Sequence, residues 1–233
     1  MDAVVMSAGE GMRLRPLTEH WPKPVLPIDG RPVVATLVRG LRAAGFEHVT
    51  VVTGHLAEQV ESLLGDGSAF DVRITYVRQP RANGSADAVR RALAGGARQP
   101  VLVAAADTVF ARGTFELFVQ EWDGAPGAIA ARLGQPRGGD KPGVDPRIAP
   151  ALPTAAALTS VPLWGIGSEL VPFLDRLPGP PFELADTFGR ALDAGLEVRG
   201  VVVPDTRDLT RPVDVIRENF PYLSEQNQGD LNE

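Results

Sequence analysis

The chain has 233 residues, in which 23 lysines and arginines stand against 29 aspartates and glutamates, for a formal net charge of −6 and a pI near 5.2. No overall basic field would draw it to nucleic acid or an anionic membrane, and 44% hydrophobic with 22% charged residues describes a globular chain, not a disordered one. The absence of cysteine excludes disulfides, thiolate zinc sites and a cysteine nucleophile, and His20, His48 and His55 are too scattered for a metal cluster. Residues 1–6 carry no basic leader, and no apolar stretch approaches the roughly 20 residues that span a bilayer, so the chain reads as cytoplasmic with no membrane partner. Residues 3–6 form a short buried-type strand, followed by a glycine- and arginine-rich loop over residues 7–30. Val33, Val34, Leu37, Val38 and Leu41 fall at helical spacing and predict a helix over residues 32–44, stopped by Gly45. A strand at 49–53, a helix at 56–64, a strand at 72–77, a helix at 85–94 and a buried strand at 101–105 follow, the last ending at Asp107. Gly and Pro dominate residues 134–153, a loop or an eroded hairpin over the site. Then come a strand at 160–166, a short helix at 169–176, a helix at 182–194, a strand at 196–203 and a helix at 212–219. This alternation argues for an α/β fold with a parallel sheet and crossover helices. Without an internal repeat or a dividing linker, residues 1–223 make one domain and residues 224–233 a polar tail.

The densest chemistry follows the first strand. Ser7, Ala8, Gly9 and Gly11 lie where backbone N–H groups can face an anion, and Arg13 and Arg15 come two and four residues after Gly11. A flexible strand-to-helix loop is the plainer reading of glycines alone. Two other phosphate motifs fail here: there is no Gly-Lys-Ser/Thr and no third glycine at dinucleotide spacing. The arginine fork adds bidentate reach to phosphate oxygens that glycines do not supply. Next, Pro22-Lys23-Pro24 holds one of only two lysines in the chain between residues of fixed φ, so that its ammonium is positioned at small entropic cost.

Residues 7–32, with Gly-x-Gly-x-Arg-Leu-Arg-Pro-Leu-Thr and Pro-Lys-Pro-x-Leu-Pro-Ile-x-Gly-Arg-Pro, resemble the signature of the sugar-1-phosphate nucleotidylyltransferases, and weaker matches continue to about Asn219. The resemblance implies a Rossmann-like mixed, mostly parallel sheet flanked by helices. It also implies an enzyme that joins a nucleoside triphosphate to a sugar 1-phosphate and releases pyrophosphate with Mg²⁺. Arg13 would hold the leaving phosphates and Lys23 would bridge the α-phosphate and the incoming phosphate. Gln79, Gly84 and Ser85 match the family's base-binding Gln…Gly segment, with UTP or dTTP preferred; otherwise they are a strand end, a turn and a helix N-cap at Ser85. Asp107 resembles the family's metal aspartate, although Ala106 replaces its glycine, and Asp208 resembles the second aspartate of that site. Either alone could be an N-cap.

The sugar side departs from the pattern. Asp140-Lys141-Pro142 is the nearest equivalent of the family's Glu-Lys-Pro but lies early, so Lys141 is a sugar-phosphate ligand or an ordinary surface lysine. Glu183 resembles a glutamate that contacts sugar hydroxyls, or else complements a helix dipole from the first turn. Two further readings compete. One is a cytidylyltransferase acting on a phosphorylated alcohol such as phosphocholine, for which an aromatic cage would speak. The other is a catalytically inactive nucleotide-sugar-binding regulatory protein, suggested by Ala106 and the displaced lysine. The sequence names neither the sugar nor the oligomeric state.

Overall fold

The structure, a computed structural model, describes residues 1–134, 145, 147–148, 158–175 and 177–220. Lys141, most of the Gly/Pro-rich stretch and the polar tail lie outside the described residues. In chain order the elements are β1 (Asp2–Ser7), β2 (Pro27–Ile28), β3 (Arg31–Pro32), α1 (Val33–Ala43), β4 (His48–Thr53), α2 (Ala57–Leu64), β5 (Arg73–Arg78) and α3 (Ser85–Ala94). They continue with β6 (Val101–Ala105), β7 (Thr108–Val109), α4 (Thr114–Trp122), β8 (Gly127–Leu133), β9 (Leu158–Ile166), α5 (Leu184–Asp193), β10 (Val198–Val202), β11 (Arg207–Asp208) and α6 (Pro212–Asn219).

Seven strands form one sheet in the order β10-β8-β9-β6-β1-β4-β5. All neighbours run parallel except β9, which is antiparallel to both β6 and β8. The expected mixed, mostly parallel sheet flanked by helices is present. Both faces are covered, which is why the central strands read as continuous apolar runs instead of alternating with polar residues. Ala3, Val5, Leu102 and Ala104 turn to the face packed by α1, α2 and α4, where Leu37, Leu41, Leu64, Phe118 and Trp122 are buried. Val4, Val101 and Val103 turn to the other face, covered by α3 and α5 through Val89, Ala92, Leu184 and Phe188. Each of these fully buried large side chains contributes about 1.5–3 kcal/mol relative to exposure.

A third, smaller cluster of Leu14, Leu26, Ile28, Val33 and Leu209 lies under the glycine–arginine loop. It fastens residues 12–28 to the start of α1 and to the segment after β11, so the loop is built on an apolar base.

Several local expectations change. Residues 7–30 are not a plain loop: they hold three 3₁₀ turns and the first strand of the β2–β3 hairpin, because Pro16, Pro22 and Pro24 fix φ without allowing a long helix. The helix expected at 56–64 begins at Ala57, since Leu56 has φ 48°, outside helical space. The helix expected at 169–176 is a 3₁₀ segment, Ser168–Leu174, with Pro172 inside it. Between Asp107 and Gly134, where no element is expected from the sequence, the structure has β7, α4 and β8.

Candidate functional site

The chain leaves β1 for β4 and β5 on one side and returns to β6 on the other, so β1 and β6 form the point where strand order reverses. Open α/β sheets bind ligands above the carboxyl ends of strands at such a point. Here that edge carries a cleft of about 470 Å³ lined by Ser7, Gly9, Gly11, Arg13, Lys23 and Asp107 among others. An adjoining recess of about 320 Å³ is lined by Ala8, Gln79, Gly84, Ser85 and Glu183, and shares Met6 and Gly9 with the cleft. Residues from across the chain thus meet along one groove.

The first wall is the loop after β1. Gly11 has φ 62°, and a Cβ there would lie 2.9 Å from Thr18 Cγ2, so the position needs glycine for both torsion and space. Thr18 Oγ1 donates to the Gly11 carbonyl at 2.9 Å, while the Thr18 carbonyl contacts His55 Nε2 at 2.7 Å. The loop is therefore pinned from β4's end as well as from its own 3₁₀ turns. Ser7, 2% exposed, ends β1 with a hydroxyl that has no hydrogen-bond partner among the described residues. Arg13 is exposed at the cleft mouth, in reach of an entering anion.

Lys23 is 9% exposed, and its Nζ donates to Asp107 Oδ2 at 2.6 Å, an ion pair closed between the proline-bracketed loop and the end of β6. Asp107 keeps about a third of its side chain open to the cleft. Asp208, on β11, pairs in register with Thr108, the residue next to Asp107. Its carboxylate accepts from Thr210 Oγ1 at 3.2 Å and lines a neighbouring depression of about 220 Å³. Thr210 borders both that depression and the main cleft, whereas Asp208 lines only the depression and Asp107 only the cleft, so the two carboxylates open into separate hollows. In the cleft itself the Asp107 carboxylate offers the hard oxygen donors that Mg²⁺ takes, from one or two carboxylates at a time, alongside substrate phosphates.

The recess is held by the pairing of two distant segments. Phe182 N–H donates to the Asn83 carbonyl at 2.7 Å and Ala86 N–H to the Phe182 carbonyl at 2.9 Å. The Ser85 hydroxyl donates to Glu183 Oε2 at 2.6 Å and accepts from Leu184 N–H at 2.8 Å. Ser85 is therefore not the N-cap of α3: Gly84 holds that position, and the hydroxyl satisfies the first amide of α5 instead. Glu183 lines the same recess as Gln79, at the start of α5 and bonded to the first residue of α3.

Two residues join the site that are not expected from the sequence, Thr18 as a brace and Asp87. Asp87 is 2% exposed and takes Arg90 Nη2 at 2.8 Å, Arg91 Nε at 2.7 Å and Gln79 Nε2 at 2.9 Å. Burial pushes its carboxyl up, but the bonds from Arg91, Gln79 and Arg90 outweigh that and hold it below the usual carboxylate range. The i,i+3 and i,i+4 spacing to two arginines was visible in the sequence; the link to Gln79 was not.

Among the described residues no helix is long and apolar enough to cross a membrane. The sequence profile of the family described as nucleotidyl transferase matches residues 2–134, more than half of the chain. The N-acetylmuramate alpha-1-phosphate uridylyltransferase of Neisseria meningitidis is 40% identical over 114 residues, 47% of this chain and 48% of that protein. The glucose-1-phosphate thymidylyltransferase of Streptomyces griseus is 29% identical over 235 residues, 93% of this chain and 65% of that protein. The chain thus spans about half to two thirds of these relatives' lengths. A solved Bacillus anthracis structure, described as a glucose-1-phosphate thymidylyltransferase with sucrose, has TM-score 0.78 at 21% identity over 94% of each chain, which shows a common fold. The groove above β1 and β6 carries the glycine–arginine loop inside the matched region, and on that match this chain belongs to the nucleotidyl transferase family.

Proposed function

We propose that the protein joins a nucleoside triphosphate, UTP or dTTP, to a sugar 1-phosphate and releases pyrophosphate. The observation that carries this reading is the meeting of Arg13, Lys23 and Asp107 in one cleft that opens directly onto the Gln79–Gly84 recess. A triphosphate and a base need two such compartments side by side.

In the proposed reaction an oxygen of the sugar phosphate attacks the α-phosphorus, and the bond to the β-phosphate oxygen breaks as pyrophosphate departs on the opposite side. The nucleophile is already ionised, so no general base is required. Catalysis rests on positioning and charge neutralisation. Lys23 Nζ spends one of its three hydrogens on Asp107, leaving two for oxygens of the α-phosphate and the incoming phosphate. Arg13, at the mouth, offers a fork to the leaving phosphates. Gly9 and Gly11 line the same cleft, where their amides would meet the anion. Asp107, in the cleft, is the residue that would hold Mg²⁺, which when bound would neutralise charge on the phosphates, and Asp208 would join it if its carboxylate turned in from the neighbouring depression. No aromatic side chain lines the cleft or the recess among the described residues, so a quaternary ammonium would find no cage there. Lys141 stays a proposal as a sugar-phosphate ligand, and Glu183 as a sugar contact.

The test is a grid of nucleoside triphosphates against sugar 1-phosphates and phosphocholine, reading pyrophosphate release. UTP or dTTP should give turnover with at least one sugar phosphate. Silence across the grid sinks the proposal, and release confined to CTP with phosphocholine replaces it.

A further inference from the structure

The Gln79 amide is held in one orientation by groups that play no part in the chemistry. Its Nε2 donates to the Gly84 carbonyl at 3.0 Å and to Asp87 Oδ2 at 2.9 Å, which uses both of its hydrogens. The Oε1 end accepts no hydrogen bond among the described residues, and Gln79 lines the recess. Flipping the amide would set Oε1 against two acceptors, a carbonyl and a carboxylate. Asp87 can only accept so long as it is ionised, and Arg90 and Arg91 keep it so from two sides. Arg90 also lies over the Phe182 ring, 5.7 Å from its centroid, which ties the arginine to the segment that leads into α5.

We propose that Asp87 is the positioning residue for base selection: by locking the Gln79 amide it turns an acceptor toward the recess, and so favours bases with a ring N–H on their pairing edge. Uracil and thymine carry that hydrogen at N3, whereas the cytosine N3 and adenine N1 carry a lone pair that would face Oε1. Guanine shares the ring N–H and is separated from the pyrimidines by size alone. The proposal rests on the nucleotidyl transfer reading in one respect only, that the recess receives a base. It gives that reading a physical reason to prefer UTP or dTTP over CTP.

The experiment is calorimetric titration of the intact protein with UTP and with CTP, in magnesium chloride and without sugar phosphate, on wild type, Asp87→Ala and Asp87→Glu. The wild type should bind UTP about tenfold or more tightly than CTP. Asp87→Ala removes the Oδ2 that Gln79 Nε2 shares with Arg91 Nε, which frees Arg91 to donate to a turned Oε1 and invites the glutamine to flip. The UTP:CTP ratio should then fall about tenfold, toward or past unity, and Asp87→Glu should restore part of it. A loss of packing alone would weaken both nucleotides together and leave the ratio in place. If Asp87→Ala does not fold, side-chain amide exchange in the wild type decides: both Gln79 NH₂ protons should exchange slowly, with and without UTP. Equal binding of UTP and CTP by the wild type, an unchanged ratio in a folded Asp87→Ala, fast amide exchange, or binding of neither nucleotide overturns the proposal. UTP-selective binding without pyrophosphate release sustains it while removing the proposed activity, and equal turnover of UTP and CTP does the reverse.

Discussion

Lys23 shows how much one side chain can depend on its neighbours. An ammonium that is 9% exposed would be costly alone, and the Asp107 carboxylate at 2.6 Å offsets that cost while leaving two hydrogens pointed at the cleft. Its prolines do not make the bond; they spare the entropy of holding the lysine ready for it. Lys23→Ala should lower kcat/KM for pyrophosphate release about 10³-fold, roughly 4 kcal/mol of transition-state stabilisation, with a smaller change in nucleotide affinity. Lys23→Arg should fail nearly as badly, because a planar fork replaces a compact charge in a packed position. Pyrophosphate release by Lys23→Ala at the wild-type rate would remove the role given to the ammonium.

The junction of α3 with α5 is a larger device of the same kind. Neither helix start is satisfied from within: Ser85 supplies an acceptor to the first amide of α5, and the Phe182 carbonyl supplies one to Ala86 of α3. The close approach works because residue 84 has no side chain. With φ 100°, a Cβ at Gly84 would lie 2.3 Å from the Phe182 carbonyl oxygen, a backbone atom that cannot swing away. Gly84→Ala should therefore separate the two helix starts, cost about 2–4 kcal/mol in stability and weaken nucleotide binding. Denaturant unfolding and titration with UTP check both halves. An alanine variant with wild-type stability would show that the junction yields more easily than its geometry implies.

The pH dependence of stability belongs to the molecule as a whole, and Asp2 is its clearest contributor. This residue opens the central strand, and its buried carboxylate receives Arg98 N–H at 2.9 Å, Nη2 at 2.9 Å and Nε at 3.3 Å just before β6. Burial raises its pKa, yet the bonds from the Arg98 side chain and amide, with the charge of the Arg98 guanidinium, carry it below the usual carboxylate range. A depressed folded-state pKa means stability that is whole above the unfolded value near 4 and lost as pH falls through the folded one. Asp87 adds to the same acid limb. Asp2→Asn should cost about 1–2 kcal/mol at pH 7 and flatten the loss of stability below pH 4. Melting curves from pH 7 to pH 3 give the comparison, and parallel curves for variant and wild type would count against the Arg98 bond as the cause.

What the sequence determined by itself is what depends on near neighbours along the chain. The apolar spacing of α1 and α3, the buried runs of β1, β4 and β6, and the loop from Ser7 to Pro32 were legible because periodicity, φ restriction and an anion-facing backbone are local properties. The helical spacing of Phe115, Phe118 and Trp122 in α4 was equally available in the sequence, whereas β8, alanine-rich and buried on both sides, carries no alternation to find it by. Only the tertiary structure decided which segments meet. It inserted β9 antiparallel between β6 and β8, closed Lys23 on Asp107 across 84 positions, set Ser85 against Glu183 across 98, and brought Asp87 under Gln79. Strand neighbours are chosen by the burial of two sheet faces at once, a property of the whole packed chain that no local window contains.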